Sequence, residues 1–437
     1  MNRAKRNGAK IYGILIDHEN ISFVLDGFQC VLINANMEVK EKKTISVKQG
    51  FILGRTTEGK FIYIYAGKDI SIRRQATINT WLYFISRTPD VETYRAISFN
   101  GGILNKLFFN AALDFDYDKS GHIKVQYKDD QQVYSLVNEE MRGTVAVRSS
   151  VSENVSAEKG TSIAISGTEL ELVFEEEQKV ETFSDMFGYI LNLCQFMAYR
   201  RNVRFEEIFL GQESKRLPGI YEKIASCFVR YDEKIETEKN MHMCITFNEL
   251  GEGTAHLLNS IMNNRTAKPQ FMIGFLPEND EDVNLVTSMK IREICSSLES
   301  EMELLDIRGE HEKEFEELID KLKKVVKEHR DGDGSLDKKD YDYVFGTLNH
   351  LTGALGDRIE NCFMEYQPIL GEVIYRKQID QIVKYRNTIT HGNYMQLDVE
   401  LAETAYVLIM LIYCCILKRV GMADDRIHEL FQRRIIS

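Results

Sequence analysis

Nine consecutive residues, Lys384-Tyr385-Arg386-Asn387-Thr388-Ile389-Thr390-His391-Gly392, bring together a guanidinium, a carboxamide and an imidazole. Imidazole titrates near neutrality and suits proton transfer in a transition state. A guanidinium holds two phosphate oxygens at once and neutralises charge that grows on them. Asn387 is placed to orient that pair or to cap a turn. On a helix beginning near 372, Ile379, Ile382, Val383 and Ile389 make one apolar stripe, and Arg386 falls in its middle, where Val or Leu is expected. A cation on a core-facing stripe is costly unless it is paired or lines a cavity. Asn387 and His391, four residues apart, share one flank, and Gly392 offers a left-handed stop that leaves His391 in the final turn. From Glu372 to Asn393 the cations Arg376, Lys377, Lys384 and Arg386 outnumber Glu372 and Asp380. Two readings stay open on these residues alone: a catalytic pair, or a structural ion pair beside a C-capping histidine.

The order Arg386-Asn387-x-x-x-His391, with four residues between Arg and His, resembles the signature of the HEPN superfamily. The wider chain is similar to the ApeA-type HEPN proteins of prokaryotic antiphage defence. The N-terminal part of that likeness is carried by Lys10-Ile-Tyr-Gly-Ile-Leu-Ile16 and by Gly50-Phe-Ile-Leu-Gly54 before Lys60-Phe-Ile-Tyr-Ile64. The resemblance implies a homodimeric, metal-independent RNA endonuclease of an abortive-infection system. It would cut tRNA or other structured RNA by 2′-OH attack, with the Arg–His dyads of two protomers lining one cleft. It also implies restraint until infection is sensed; since the β-rich domain is more than catalysis needs, the N-terminal domain or the connector is expected to recognise a phage-derived partner and relieve that restraint. Glu299 resembles the acidic residue that some members place on an earlier helix. It flanks the stripe Ile291, Ile294, Cys295, Leu298, Met302 and Leu305, and would either pair with Arg386 or face water. The expected site is therefore Arg386, Asn387, His391 and Glu299, with no cofactor and no metal. Tyr385 and Tyr394 flank the motif; they are read as packing residues, although aromatics there could stack on a base. The rival expectation is a non-catalytic HEPN scaffold that dimerises while the β-rich half binds a ligand.

Other chemistries lack their residues. HExxH, CxxC and His pairs at metal-ligand spacing are missing, as are a Walker loop and a GxSxG elbow. With 55 basic and 67 acidic residues the net charge is −12, which excludes a uniformly basic nucleic-acid coat. RNA must then be met at a local basic site. The eight cysteines are scattered through apolar runs, which reads as reduced thiols in a cytoplasmic protein. The apolar run 404–417 is too short for a bilayer and reads as a core or interface helix, with no membrane partner.

These residues need a scaffold, and the hydrophobic period divides the chain. The fold expected is α+β: a β-rich N-terminal domain, sandwich or barrel-like, over 1–210, then a mixed connector over 211–282 and an all-α HEPN helical bundle over 283–437. Short β-branched and aromatic runs bounded by Gly, Asn or Asp fill the first part. A Ser-rich loop is expected at 149–160, and a helix over 184–201 packs on the sheet with Arg200 and Arg201 in its last turn. After 283 the spacing predicts helices near 283–305, 309–330, 338–351, 353–366, 372–391, 399–420 and 424–433.

Overall fold

The computed structural model describes residues 10–434 apart from 36–43, 90, 109–112, 118–122, 128–130, 138–140, 157–159, 232–243, 264–272, 280–281, 308–312, 333–335, 352–354 and 394. The chain is α+β and forms two compact units. The first comprises 1–198, 202–237 and 245–262; the second comprises 199–201, 238–244 and 263–437.

The first unit begins with β1 (Ile11–Leu15), β2 (Ile21–Asp26), β3 (Gln29–Asn34), β4 (Ile45–Val47), β5 (Gly50–Thr56), β6 (Phe61–Ala66), β7 (Ile70–Ile72), β8 (Gln75–Asn79), β9 (Leu82–Ser86) and β10 (Thr93–Asn100). After α1 (Gly102–Leu107) come β11 (Leu113–Tyr117), β12 (Ile123–Tyr127), β13 (Gln132–Val137), β14 (Arg142–Ser156) and β15 (Gly160–Lys179). Helix α2 (Phe183–Ala198), β16 (Glu207–Glu213), β17 (Tyr221–Val229), α3 (Phe247–Leu250) and α4 (Gly253–Asn263) complete it. Thirteen strands form one antiparallel sheet in the order β13-β14-β15-β10-β16-β17-β9-β6-β5-β1-β2-β3-β8. Alternation places Leu15, Phe23, Leu25, Ile62 and Ile64 in one core, to which the separate β4–β7 ribbon adds Val47 and Ile72. Two sheets thus enclose that core. Glycines 13 and 54 are required there: a Cβ at either would stand 2.5 or 2.7 Å from the Phe23 ring.

Three sequence expectations are corrected in this unit. Residue 210 lies inside β16, and β16 and β17 sit between β10 and β9, so the sheet runs to Val229 and the connector begins later than 211. The reason is long-range pairing, Ala96 with Gly211 and Ser226 with Ile85, which no local pattern displays. The Ser-rich segment is strand, not loop: β14 pairs with β15 from Gly143–Phe174 out to Ser156–Gly160. Finally, α2 stops at Ala198, where Tyr199 turns to φ 50°, so Arg200 and Arg201 lie past the helix.

The second unit contains α5 (Ser288–Leu304), α6 (Lys313–Asp331), α7 (Lys338–Leu351), α8 (Leu355–Leu370), α9 (Arg376–Thr390), α10 (Val399–Arg419) and α11 (Asp424–Arg434). Helices α5, α8, α9 and α10 pack on one another, while α6 and α7 pair as a hairpin. Asp398 caps α10 by accepting from the Leu401 N–H at 2.9 Å. This helix has 21 residues and is long and apolar enough to cross a membrane, so the expectation that it is too short does not hold. Its apolar residues are nonetheless enclosed, with Leu408, Leu411, Ile412, Cys415 and Ile416 fully buried. It is the core helix of this unit.

Candidate active site

Helix α9 supplies three of the four expected residues. Ile379, Ile382 and Tyr385 are its buried residues, so the core stripe continues through Tyr385 rather than Arg386. Steps of three carry the stripe about 60° round the helix from Ile382 to Tyr385, and the aromatic ring takes the interior position there. Arg386 stands beside the stripe, its side chain 26% exposed. The Tyr385 hydroxyl lies 2.7 Å from Ser288 Oγ on α5, and the ring is fully buried, so it is closed to base stacking. Tyr394 lies outside the described residues.

Arg386 is held on two sides. Its Nη2 donates to Glu299 Oε2 at 3.1 Å, and its Nη1 donates to Asn387 Oδ1 at 3.0 Å. Each terminal nitrogen keeps a second N–H, so the fork retains donors for another anion. Its Nε is buried and makes no hydrogen bond. Glu299 thus pairs rather than facing water, and the ionic reading of Arg386 is a real feature of the site. Beneath the pair, burial pushes the Cys295 thiol up to about 12, against the pull of the Arg386 charge. Arg358 of α8 braces the same turn, donating to the carbonyls of Glu299 and Ile307 at 3.4 and 3.3 Å.

His391 is the C-cap of α9 and is exposed. Its backbone N–H donates to the Asn387 carbonyl at 3.2 Å, and Gly392 at φ 77° provides the left-handed stop. Among the described residues its imidazole makes no hydrogen bond, which leaves both ring nitrogens open to solvent. The structure therefore brings Arg386, Asn387 and Glu299 into one bonded group, and sets His391 one turn beyond Asn387 at the exposed end of the helix. This arrangement can neutralise an anion and move a proton beside it.

The local positive charge is smaller than the sequence suggests. Arg376 binds Asp357, Glu360 and Asp380, and these carboxylates hold it firmly protonated. Two of the four cations near the motif are therefore already paired. Two further buried charges were not visible in the hydrophobic pattern. Glu301 and Arg419 meet through two bonds of 2.9 and 3.1 Å, with burial raising the carboxyl and Arg419 lowering it. Lys290, in the first turn of α5, is buried without a hydrogen bond to its Nζ, and desolvation lowers it to about 8. Nothing in residue type or spacing marks Ser288 or Arg358; both become visible only when α5, α8 and α9 meet. Among the described residues no group of three His, Cys, Asp or Glu is placed to hold a metal ion.

Comparison with known families places this group of residues. Residues 305–426 match the family model described as Apea-like HEPN. Arg386, Asn387 and His391 lie inside that span, and Glu299 lies just before it. No curated protein and no solved structure matches the chain.

Proposed function

We propose that this chain, which carries an Apea-like HEPN domain behind a β-rich N-terminal region, is a metal-independent RNA endonuclease of an antiphage system. HEPN domains are usually nucleases and generally act as dimers on RNA. The observation that carries the reading is the Arg386 fork, fixed by Glu299 and Asn387 and set one turn from an exposed His391. In the reaction, His391 takes the proton of a ribose 2′-OH as its oxygen attacks the adjacent phosphorus. Arg386 spans the non-bridging oxygens and neutralises the charge they gain. The bond from phosphorus to the 5′-oxygen breaks, and an imidazolium protonates the leaving oxygen. The products are a 2′,3′-cyclic phosphate and a 5′-hydroxyl. A second protomer would supply the second dyad, giving one histidine for each proton transfer.

The substrate we favour is tRNA or another structured RNA in the cytoplasm, with cleavage aborting an infection. The N-terminal region exceeds what catalysis needs, and we assign it recognition of a phage-derived activator. Purified protein tests the chemistry directly. His391→Ala should lower RNA cleavage by about 10²–10⁴, the usual worth of acid–base catalysis. Wild-type cleavage should survive EDTA and leave cyclic phosphate ends. Wild-type rates in His391→Ala, or loss of activity in EDTA, would refute it. A second reading has its own support: Arg386 is ion-paired and His391 caps a helix, as in a non-catalytic scaffold. That scaffold predicts a wild type that binds its partner and leaves RNA intact.

A further inference from the structure

We infer that Tyr385 and Ser288 form a positioning pair that sets the direction of the Arg386 fork; this rests on the nuclease reading above. Consecutive residues of α9 grip α5 at two distant points, Tyr385 at Ser288 and Arg386 at Glu299. Those points are eleven residues apart on α5, which is about 16 Å of helix. Neighbouring side chains of a helix lying along α5 would reach points within a turn or two of each other. Here they splay toward opposite ends of α5, with the buried Ile291, Ile294 and Cys295 lying between the two grips along that helix.

The two grips differ in kind. The Arg386–Glu299 pair joins two long side chains that are 26% and 33% exposed. Such a pair is screened by solvent and does not by itself fix one geometry. The Tyr385 ring is fully buried and its hydroxyl reaches the exposed Ser288 at the start of α5, a 2.7 Å bond, so the rigid ring rather than a long flexible chain carries this grip. Residues one position apart on a helix point about 100° apart. Fixing Tyr385 on the first residue of α5 therefore fixes both the roll of α9 and its slide along α5. Arg386 can meet Glu299 and still present its remaining N–H groups only at that roll. Tyr385 touches no reacting atom; it acts through Arg386.

The test uses the full-length chain with Tyr385→Phe, Ser288→Ala and the double variant, and unfractionated tRNA as probe. Expected is a fall in kcat of at least tenfold in each single variant, with KM within about twofold of wild type and thermal unfolding still cooperative. The double variant should lose no more than the worse single one, because both remove the same bond. A readout independent of cleavage is the Arg386 Nε–H resonance, resolved because that nitrogen is buried, and assigned by its loss in Arg386→Lys. It should shift or broaden in Tyr385→Phe and in Ser288→Ala. Unchanged kcat with an unmoved resonance overturns the inference, and so does a fall in kcat with the resonance unmoved. If the wild type does not cleave RNA, the nuclease reading fails, and the resonance alone still decides whether Tyr385 and Ser288 aim Arg386.

Discussion

In the proposed nuclease Arg386 is asked to do two things that conflict in a nonpolar setting: stay charged near a core and remain open to an incoming phosphate. Glu299 and Asn387 reconcile them by taking one hydrogen from each terminal nitrogen and leaving one. This division makes the identity of the cation decisive. Arg386→Lys should leave cleavage as low as Arg386→Ala, since an ammonium lacks the planar fork; single-turnover rates on the same RNA decide it. At Glu299 the order is graded. Glu299→Gln keeps an acceptor for Nη2 and should cleave faster than Glu299→Ala, which frees one side of the fork. Equal rates in the two variants would mean that Glu299 does not orient the arginine. These residues were legible in the sequence because Arg386, Asn387, His391 and Gly392 are neighbours in it. The partner choice of Glu299 was not legible, because 87 positions separate it from Arg386.

Helix α5 carries more buried polarity than an apolar stripe requires, and of it Glu301 reaches Arg419 on α10. The stripe was readable: Ile291, Ile294, Cys295, Leu298 and Met302 are all buried. The interleaved Lys290, Ser297 and Glu301 were not, because a period in hydrophobicity is blind to polar groups set between apolar ones; Glu301 meets Arg419, while Lys290 Nζ and Ser297 Oγ make no hydrogen bond among the described residues. Their costs differ. Glu301→Ala removes the carboxylate and both charge-assisted bonds from the largely buried Arg419, and chemical denaturation should show a loss of about 3–5 kcal/mol. Replacing both by apolar residues should cost far less. Lys290 gives a pH dependence of the opposite sense. Its folded value of about 8 lies below the ordinary 10.5, so at pH 7 the fold must hold a buried ammonium that the unfolded chain leaves in water. Between about pH 8 and 10.5 the unfolded chain binds the extra proton, and stability rises with pH, by on the order of 3 kcal/mol across the window. Lys290→Met should therefore stabilise at pH 7 and gain much less at pH 10, measured as the difference in unfolding free energy from wild type. An equal gain at both values would show that the amine is not held charged against its surroundings.

The division of the chain into a β-rich part and a helical part was readable from the change of period near 184 and 283; the seams between them were not. Short β-branched runs reveal strands, yet only pairing reveals that β16 and β17 complete the middle of the sheet between β10 and β9. A chain beginning at residue 211 would keep β17 with neither β9 nor an intact β16 beside it, exposing unpaired edges. We expect that fragment to aggregate on size exclusion, and a monodisperse, cooperatively unfolding product would contradict the sheet order. The same order has a meaning in time. Residues 207–229, as β16 and β17, close the gap between strands that end at 86 and 100, so the ribosome must release more than a hundred residues before the sheet can finish. The codons for Arg386 and His391 come later still, by a further stretch of more than 150 residues. At the usual pace of about 5–20 residues per second, the nascent chain has several seconds in which the sheet can complete before Arg386 or His391 has been made. If the proposed nuclease and the proposed sensing role hold, a chain translated in this order completes its sensing part before its chemistry exists.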